Sequence, residues 1–226
     1  YIPGGNYPLP STTLMTIVPA KVAGVKEIIV ATPPQKNGKA NPAIIVAADI
    51  AGANKIVVSG GAQAVAALAY GTTTVPKVNK IVGPGNVYVT AAKKLLYGQV
   101  GIDMLAGPSE VVIIASSDSN PKYIAADMLA QAEHDVVACG LLFTDSIKLA
   151  NAVKKEILTQ TEKLASKEII KKSFDNYSCI VVVDSVEQAI KFSNDFAPEH
   201  LEIIGYDESI LKKISNVGSI FFGEYS

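Results

Sequence analysis

Short runs rich in valine and isoleucine alternate along the chain with longer amphipathic or alanine-rich stretches. The short runs predict strands over 27–31, 55–59, 80–82, 111–115, 140–144, 179–183, 201–204 and 219–222. The longer stretches predict helices over 13–25, 42–51, 62–70, 87–96, 122–133, 146–163, 167–174, 186–194 and 209–215. Pro19 should kink or shorten the first helix, because proline removes a helical N–H and clashes with the preceding turn. Regular alternation of strand and helix implies an α/β chain with a largely parallel sheet. The near-continuous apolar character of the strands fits a sheet covered on both faces.

The chain divides best near Gly107-Pro108-Ser109. Before that point lie three glycine-rich turns, at Gly4-Gly5, Gly60-Gly61 and Gly83-Pro84-Gly85; after it glycines thin out and lysine-rich helices begin. Two α/β domains, 1–108 and 109–226, are expected. No internal repeat or low-complexity stretch is visible, and 33–40 reads as a polar loop.

Composition narrows the function classes. Of the 226 residues 49% are hydrophobic, and mean hydropathy is +0.28, so there is ample material for a core. Charged residues make up 18% with a formal net charge of −1, which speaks against a nucleic-acid partner. The lysine pairs 154–155, 171–172 and 212–213 read as solvated helix faces. No arginine occurs, so a guanidinium clamp on phosphate or carboxylate is ruled out within these residues. No apolar run reaches membrane-spanning length, and no membrane partner is expected. The opening Tyr-Ile-Pro-Gly-Gly lacks the pattern of a signal peptide. Both ends read as interior sequence of a longer protein. The two cysteines, Cys139 and Cys179, lie among apolar residues and read as reduced core residues of a cytoplasmic protein.

Only two histidines occur, and each sits beside carboxylates: Gln131-Ala-Glu-His134-Asp and Pro198-Glu199-His200-Leu-Glu202. Histidine is the side chain best suited to proton transfer near neutral pH and the commonest metal ligand. Gln131 and His134 are spaced to share a helix face, which fits either a polar helix end or part of a metal site. Glu199-His200, stiffened by Pro198 before a strand, fits either a plain loop pair or an acid/base station. The turns Gly60-Gly61-Ala-Gln63 and Gly83-Pro-Gly-Asn86 fit either tight strand-to-helix connections or backbone cradles for an anion. Neither turn is the dinucleotide fingerprint of a conventional Rossmann unit. A metal hydrolase built on Glu133-His134 is the weakest alternative, because no second histidine follows at i+4.

Taken together and in order, the motifs resemble the histidinol dehydrogenase family: Tyr1-Ile-Pro-Gly-Gly, Ser11-Thr-Thr-Leu-Met, Pro19-Ala-Lys-Val-Ala-Gly, Gly60-Gly-Ala-Gln-Ala-Val-Ala-Ala-Leu-Ala-Tyr-Gly-Thr, Val75-Pro-Lys-Val, Lys80-Ile-Val-Gly-Pro-Gly-Asn, Gly101-Ile-Asp-Met, Ala106-Gly-Pro-Ser-Glu, Gln131-Ala-Glu-His and Pro198-Glu-His-Leu. The resemblance implies two incomplete Rossmann-like units of aldehyde-dehydrogenase type. It implies Glu199 and His200 as the acid/base pair, and Gln131 and His134 as two of four zinc ligands. It implies Ser109, Gln131, His134 and His200 at the substrate, and Tyr1, Gln63 and Asn86 at NAD. The implied reaction is the two-step oxidation of histidinol to histidine by a zinc-containing, NAD-dependent homodimer. In it, His200 takes protons, Glu199 activates water, and no cysteine thioester is needed. The remaining two zinc ligands of the family, an Asp and a His, have no counterpart among these residues. The same holds for the family's segment that reaches the partner's site. A piece inactive by itself is therefore the competing expectation.

Overall fold

The computed structural model describes residues 1–4, 8–105, 107 and 109–225. Ala106 and Pro108 of the predicted Ala-Gly-Pro-Ser motif, and Gly5 of the opening motif, lie outside the described residues. The chain divides into two compact units, Tyr1–Gly107 and Pro108–Ser226.

In the first unit, α1 (Pro10–Val22) and α2 (Pro42–Ala51) pack together, and β1 (Ile29–Thr32) pairs in parallel with β2 (Lys55–Val58). Then follow α3 (Gly61–Tyr70), β3 (Lys80–Ile81), α4 (Val87–Leu96) and β4 (Gly101–Ile102), with β3 and β4 parallel. The first helix begins at Pro10 rather than residue 13, because proline's fixed φ suits a first helical turn. It continues through Pro19 but ends at Val22, short of the expected residue 25. Strand β4 has no counterpart in the hydrophobic pattern, since it lies in the mixed stretch Gly101-Ile-Asp.

The second unit is a five-stranded parallel sheet in the order β7-β6-β5-β8-β9. Its strands are β5 (Glu110–Ala115), β6 (Cys139–Thr144), β7 (Cys179–Val182), β8 (His200–Ile204) and β9 (Ser219–Phe222). Helices α5 (Pro121–Ala132), α6 (Ile147–Thr161) and α7 (Lys167–Asn176) pack on one face, and α8 (Val186–Phe196) on the other. The two-residue period of strands sorts the core accordingly. Val111, Ile113 and Ala115 bury against α5 and α6, while Val112 and Ile114 bury against α8. Sharing that period, His200, Glu202 and Ile204 of β8 stand on the α5 side. Where a helix is expected over 209–215, a short 3₁₀ segment, Glu208–Lys213, forms, capped by Asp207.

One expectation fails at the sheet's edge. Cys179 is exposed and Cys139 only half-buried, rather than both being core residues. They begin β7, the edge strand, and β6, its neighbour, where the sheet is no longer covered on all sides. Among the described residues no helix is long and apolar enough to cross a membrane.

Candidate functional site

Parallel topology gathers the second unit's candidate residues on one edge. Ser109 directly precedes β5, and Glu199 directly precedes β8. Helix α5 returns antiparallel between β5 and β6, so Gln131 at its last turn reaches the same amino-terminal edge. Sheets of this class usually bind ligands at the opposite, carboxyl edge. The motif positions, not the fold rule, locate this site.

Three side chains meet there. Ser109 Oγ donates to Glu199 Oε2 at 2.7 Å, across 90 residues of sequence. The same oxygen lies 4.0 Å from His200 Nδ1. The backbone holds the pair from both sides. Glu199 N donates to Glu110 Oε2 at 3.3 Å, and Ser219 N donates to the Glu199 carbonyl at 2.9 Å. His200 pairs with Val111 on β5 and Ser219 on β9. Its ring packs 5.7 Å from that of Phe221, tilted by 48°. The histidine and carboxylate are therefore set on a central part of the sheet rather than on a free loop. Both remain partly open to solvent.

The approach to the pair is bent sharply. Ala197 follows the end of α8 with φ 55°, the one non-glycine residue in left-handed backbone among those described. This conformation costs an L-residue about 1–2 kcal/mol. It ends the helix and turns Pro198-Glu199 back toward β8.

The expected metal pair is less uniform than its spacing implies. Helix α5 ends at Ala132 with Glu133 as its cap, so His134 lies beyond the helix instead of sharing a face with Gln131. His134 is exposed, whereas Gln131 is only 7% exposed. The Gln131 side-chain Nε2 is buried without a hydrogen-bond partner. A buried amide N–H end without an acceptor costs stability, and a cation would not satisfy it. The two neighbouring carboxylates are otherwise occupied. Ser166 donates to Glu133 at 3.0 Å, and Asp135 accepts from Val137 N at 3.2 Å. Among the described residues no cluster of three or more His, Cys, Asp or Glu could hold a metal. Gln131 and His134 alone do not make a zinc centre, which needs at least three protein ligands.

Behind this edge, Asp127 of α5 hydrogen-bonds Glu202 of β8. Burial, the Asp127 charge and that hydrogen bond push the Glu202 pKa up to about 8. The cysteines are poor nucleophiles. Burial, followed by the nearby Cys179 and Glu110, pushes the Cys139 thiol up to about 11, and burial raises Cys179 as well.

In the first unit, Tyr1 joins the two glycine turns. Its hydroxyl accepts from Gly61 N at 3.0 Å, and its backbone nitrogen donates to the Val82 carbonyl at 2.6 Å. Gly83 has φ 108°, and a Cβ there would stand 2.1 Å from the Tyr1 carbonyl oxygen. Asn86 caps α4, accepting from Tyr88 N and Val89 N at 3.1 and 3.2 Å. Gln63 lies exposed in the first turn of α3, whose cap residue Gly60 supplies no side-chain hydrogen bond. The three residues expected at NAD thus belong to one assembly of turns, with Asn86 Oδ1 already committed to the helix.

The sequence model of the histidinol dehydrogenase family matches residues 1–226. The chain belongs to that family. It is 54% identical over 227 aligned residues to the histidinol dehydrogenase of Clostridium acetobutylicum, covering 100% of this chain and 53% of that protein. To the enzyme of Methanocaldococcus jannaschii it is 52% identical, covering 100% of this chain and 52% of that protein. The crystal structure of histidinol dehydrogenase from Elizabethkingia anophelis superposes with a TM-score of 0.92 at 43% identity. That match covers 100% of this chain and 52% of the solved one. The chain therefore spans about half the length of the relatives it matches, and the α/β architecture with parallel sheets is theirs.

Sequence reasoning gave no role to Lys93, Asp103, Asp127 or Glu202. The signal was present for two of them. Lys93 interrupts the apolar stripe Val89, Ala92, Leu96, and Asp127 interrupts the stripe Ile124, Met128. A charge inside a buried helical stripe needs a partner.

Proposed function

We propose that the whole protein carrying this chain oxidises L-histidinol to L-histidine through the aldehyde, in the last steps of histidine biosynthesis. The observation that carries this reading is the Ser109–Glu199–His200 constellation, locked between β5 and β9. His200 Nδ1 lies toward Glu199, which leaves Nε2 to take the substrate's hydroxyl proton as hydride departs from the same carbon. The aldehyde then gains water. Glu199 takes a proton from that water as its oxygen bonds to the carbonyl carbon, and protonated His200 gives its proton to the carbonyl oxygen, which forms the hydrate and leaves His200 neutral again. The hydrate gives up hydride and a second hydroxyl proton, and His200 accepts that proton. Ser109, donating to Glu199, holds the carboxylate for this task. The raised thiols of Cys139 and Cys179 agree with a route that needs no thioester.

NAD, when bound, would supply the hydride acceptor in both stages, and Tyr1, Gln63 and Asn86 would contact it. Gln131 and His134 would supply two donors to a zinc ion, too few by themselves to hold it, and the ion would add Lewis-acid anchoring of the substrate's imidazole and amine. The whole protein is taken to be a cytoplasmic homodimer.

The test is His200→Asn in the full-length protein. Steady-state rates with histidinol and with the aldehyde should both fall ~10²–10⁴-fold, the usual cost of losing a general base. A variant keeping most of its activity on both substrates would overturn the assignment.

A further inference from the structure

We infer that Lys93 and Asp103 are positioning residues that set the Gly83–Asn86 turn for the cofactor. This rests on the reading of that turn as an NAD-contacting surface. Lys93 Nζ donates to the Gly83 carbonyl at 2.6 Å and to Asp103 Oδ1 at 2.7 Å. Asp103 Oδ2 in turn accepts from Gly83 N at 2.7 Å. One ion pair, buried at its lysine end and partly open to solvent at Asp103, thus grips both backbone groups of a single residue. Lys93 is only 4% exposed. It is too enclosed to touch a dinucleotide, so its effect must pass through the turn.

The arrangement is expensive for a purely structural purpose. Burying an ion pair seldom stabilises more than apolar side chains of similar volume would. What it does supply is direction. Left to itself a glycine turn samples many conformations. Here Gly83 is held at φ 108° by Lys93 and Asp103 on one side and by the Tyr1 backbone on the other. Asn86 stands three residues further on and starts the helix that carries Lys93. Turn, helix and the segment after β4 form a closed ring. If either charge is lost, the ring opens, and the angle at which Asn86 and the turn's backbone face outward is no longer fixed.

The test uses the full-length holoenzyme and titrates NAD calorimetrically. Lys93→Met removes both donations, and Lys93→Gln keeps an amide able to donate to Gly83. Ile17→Ala is the control, because it weakens the unit's other hydrophobic cluster without touching the turn. Lys93→Met should raise the NAD dissociation constant about tenfold or more, with Lys93→Gln in between. Zinc content, histidinol affinity and the NAD affinity of Ile17→Ala should stay within about twofold of wild type. If Lys93→Met does not fold, Asp103→Asn gives the same reading, since it keeps the packing but answers only one of Asp103's partners. A folded variant with unchanged NAD affinity overturns the inference. So does an equal loss in Ile17→Ala. Asn86→Ala separates the two layers. If it weakens NAD while the clamp variants do not, the positioning role alone fails. If it leaves NAD binding intact, the cofactor reading of the turn fails, and the inference with it.

Discussion

Asp127 and Glu202, 75 residues apart in sequence, are hydrogen-bonded carboxyl groups joining α5 to β8. Burial is the main cause of the upward shift at both, and at Glu202 the Asp127 charge adds to it. Two carboxyl groups this close share a proton, because both cannot ionise in a half-dry site. On β8, Glu202 is the next residue after His200 on the same sheet face, and Asp127 is one helical turn before Gln131.

A pH dependence of stability follows. In the unfolded chain Glu202 titrates at its ordinary value of 4.5, and in the fold at about 8. The folded state therefore holds a proton that the unfolded state releases, and stability falls as pH rises through that interval. Glu202→Gln cannot ionise and should not share the loss. Melting temperatures from about pH 5 to 9 should show the variant gaining on the wild type as pH rises. A wild-type-to-variant difference that does not change with pH would refute the shared proton.

Ser109 and Glu199 lead to a prediction about which step suffers. Only the aldehyde stage consumes water, so Glu199→Gln should slow aldehyde oxidation more than the first hydride transfer, by ~10²-fold or more. Ser109→Ala should do the same more mildly, because it removes a hydrogen bond and leaves the carboxylate. Single-turnover NADH bursts separate the stages. Equal slowing of both bursts would show that Glu199 is no selective water activator.

Much of this was readable from the residues, and what was not has physical causes. Eight strands stand close to where the apolar runs put them; β3 is as short as β4, but it starts the apolar run Lys80-Ile-Val, whereas β4 lies in the mixed stretch Gly101-Ile-Asp. Residues 209–215 read as a helix because the apolar and lysine spacing is helical, yet so short a segment cannot nucleate an α-helix cheaply. The meeting of Ser109 with Glu199 depends on β5 and β8 being neighbours, which no local pattern encodes. The exposure of Cys179 likewise depends on β7 lying at the sheet's edge. His134 was placed on the helix by spacing, but the helix ends two residues earlier.

Ala197 offers a stability test next to the site. Its φ of 55° is the position where helices commonly end in glycine. Ala197→Gly removes the steric cost of left-handed backbone and gives back part of it as chain entropy. The net expectation is a gain of about 0.5–1 kcal/mol, read as a raised denaturant midpoint with an unchanged slope. Activity should hold, since Glu199 and His200 are anchored by β5 and β9 rather than by Ala197. A lowered midpoint would show that Ala197 makes packing contacts worth more than its strain.

Gly218 is the opposite case, where the backbone conformation is ordinary and the space is not. A Cβ at this position would lie 2.6 Å from the Glu199 carbonyl oxygen. That oxygen accepts from Ser219 N at 2.9 Å, and Gly218 N itself donates to Pro198 at 3.1 Å. The clash is with backbone held by two hydrogen bonds, so no side-chain rotation can relieve it. Gly218→Ala should therefore push β9 away from the Pro198–Glu199 segment, at a cost of about 1–3 kcal/mol. Displacement near 1 Å at a reacting group is enough to cost ~10²-fold in rate. The expected outcome is a folded variant with reduced kcat on both substrates and little change in NAD affinity, because the turns proposed to contact NAD belong to the other unit. Circular dichroism, steady-state rates and NAD titration on the same preparation check all three. Full activity would mean that the Glu199 backbone tolerates movement and that its anchoring on β9 is not what sets the site.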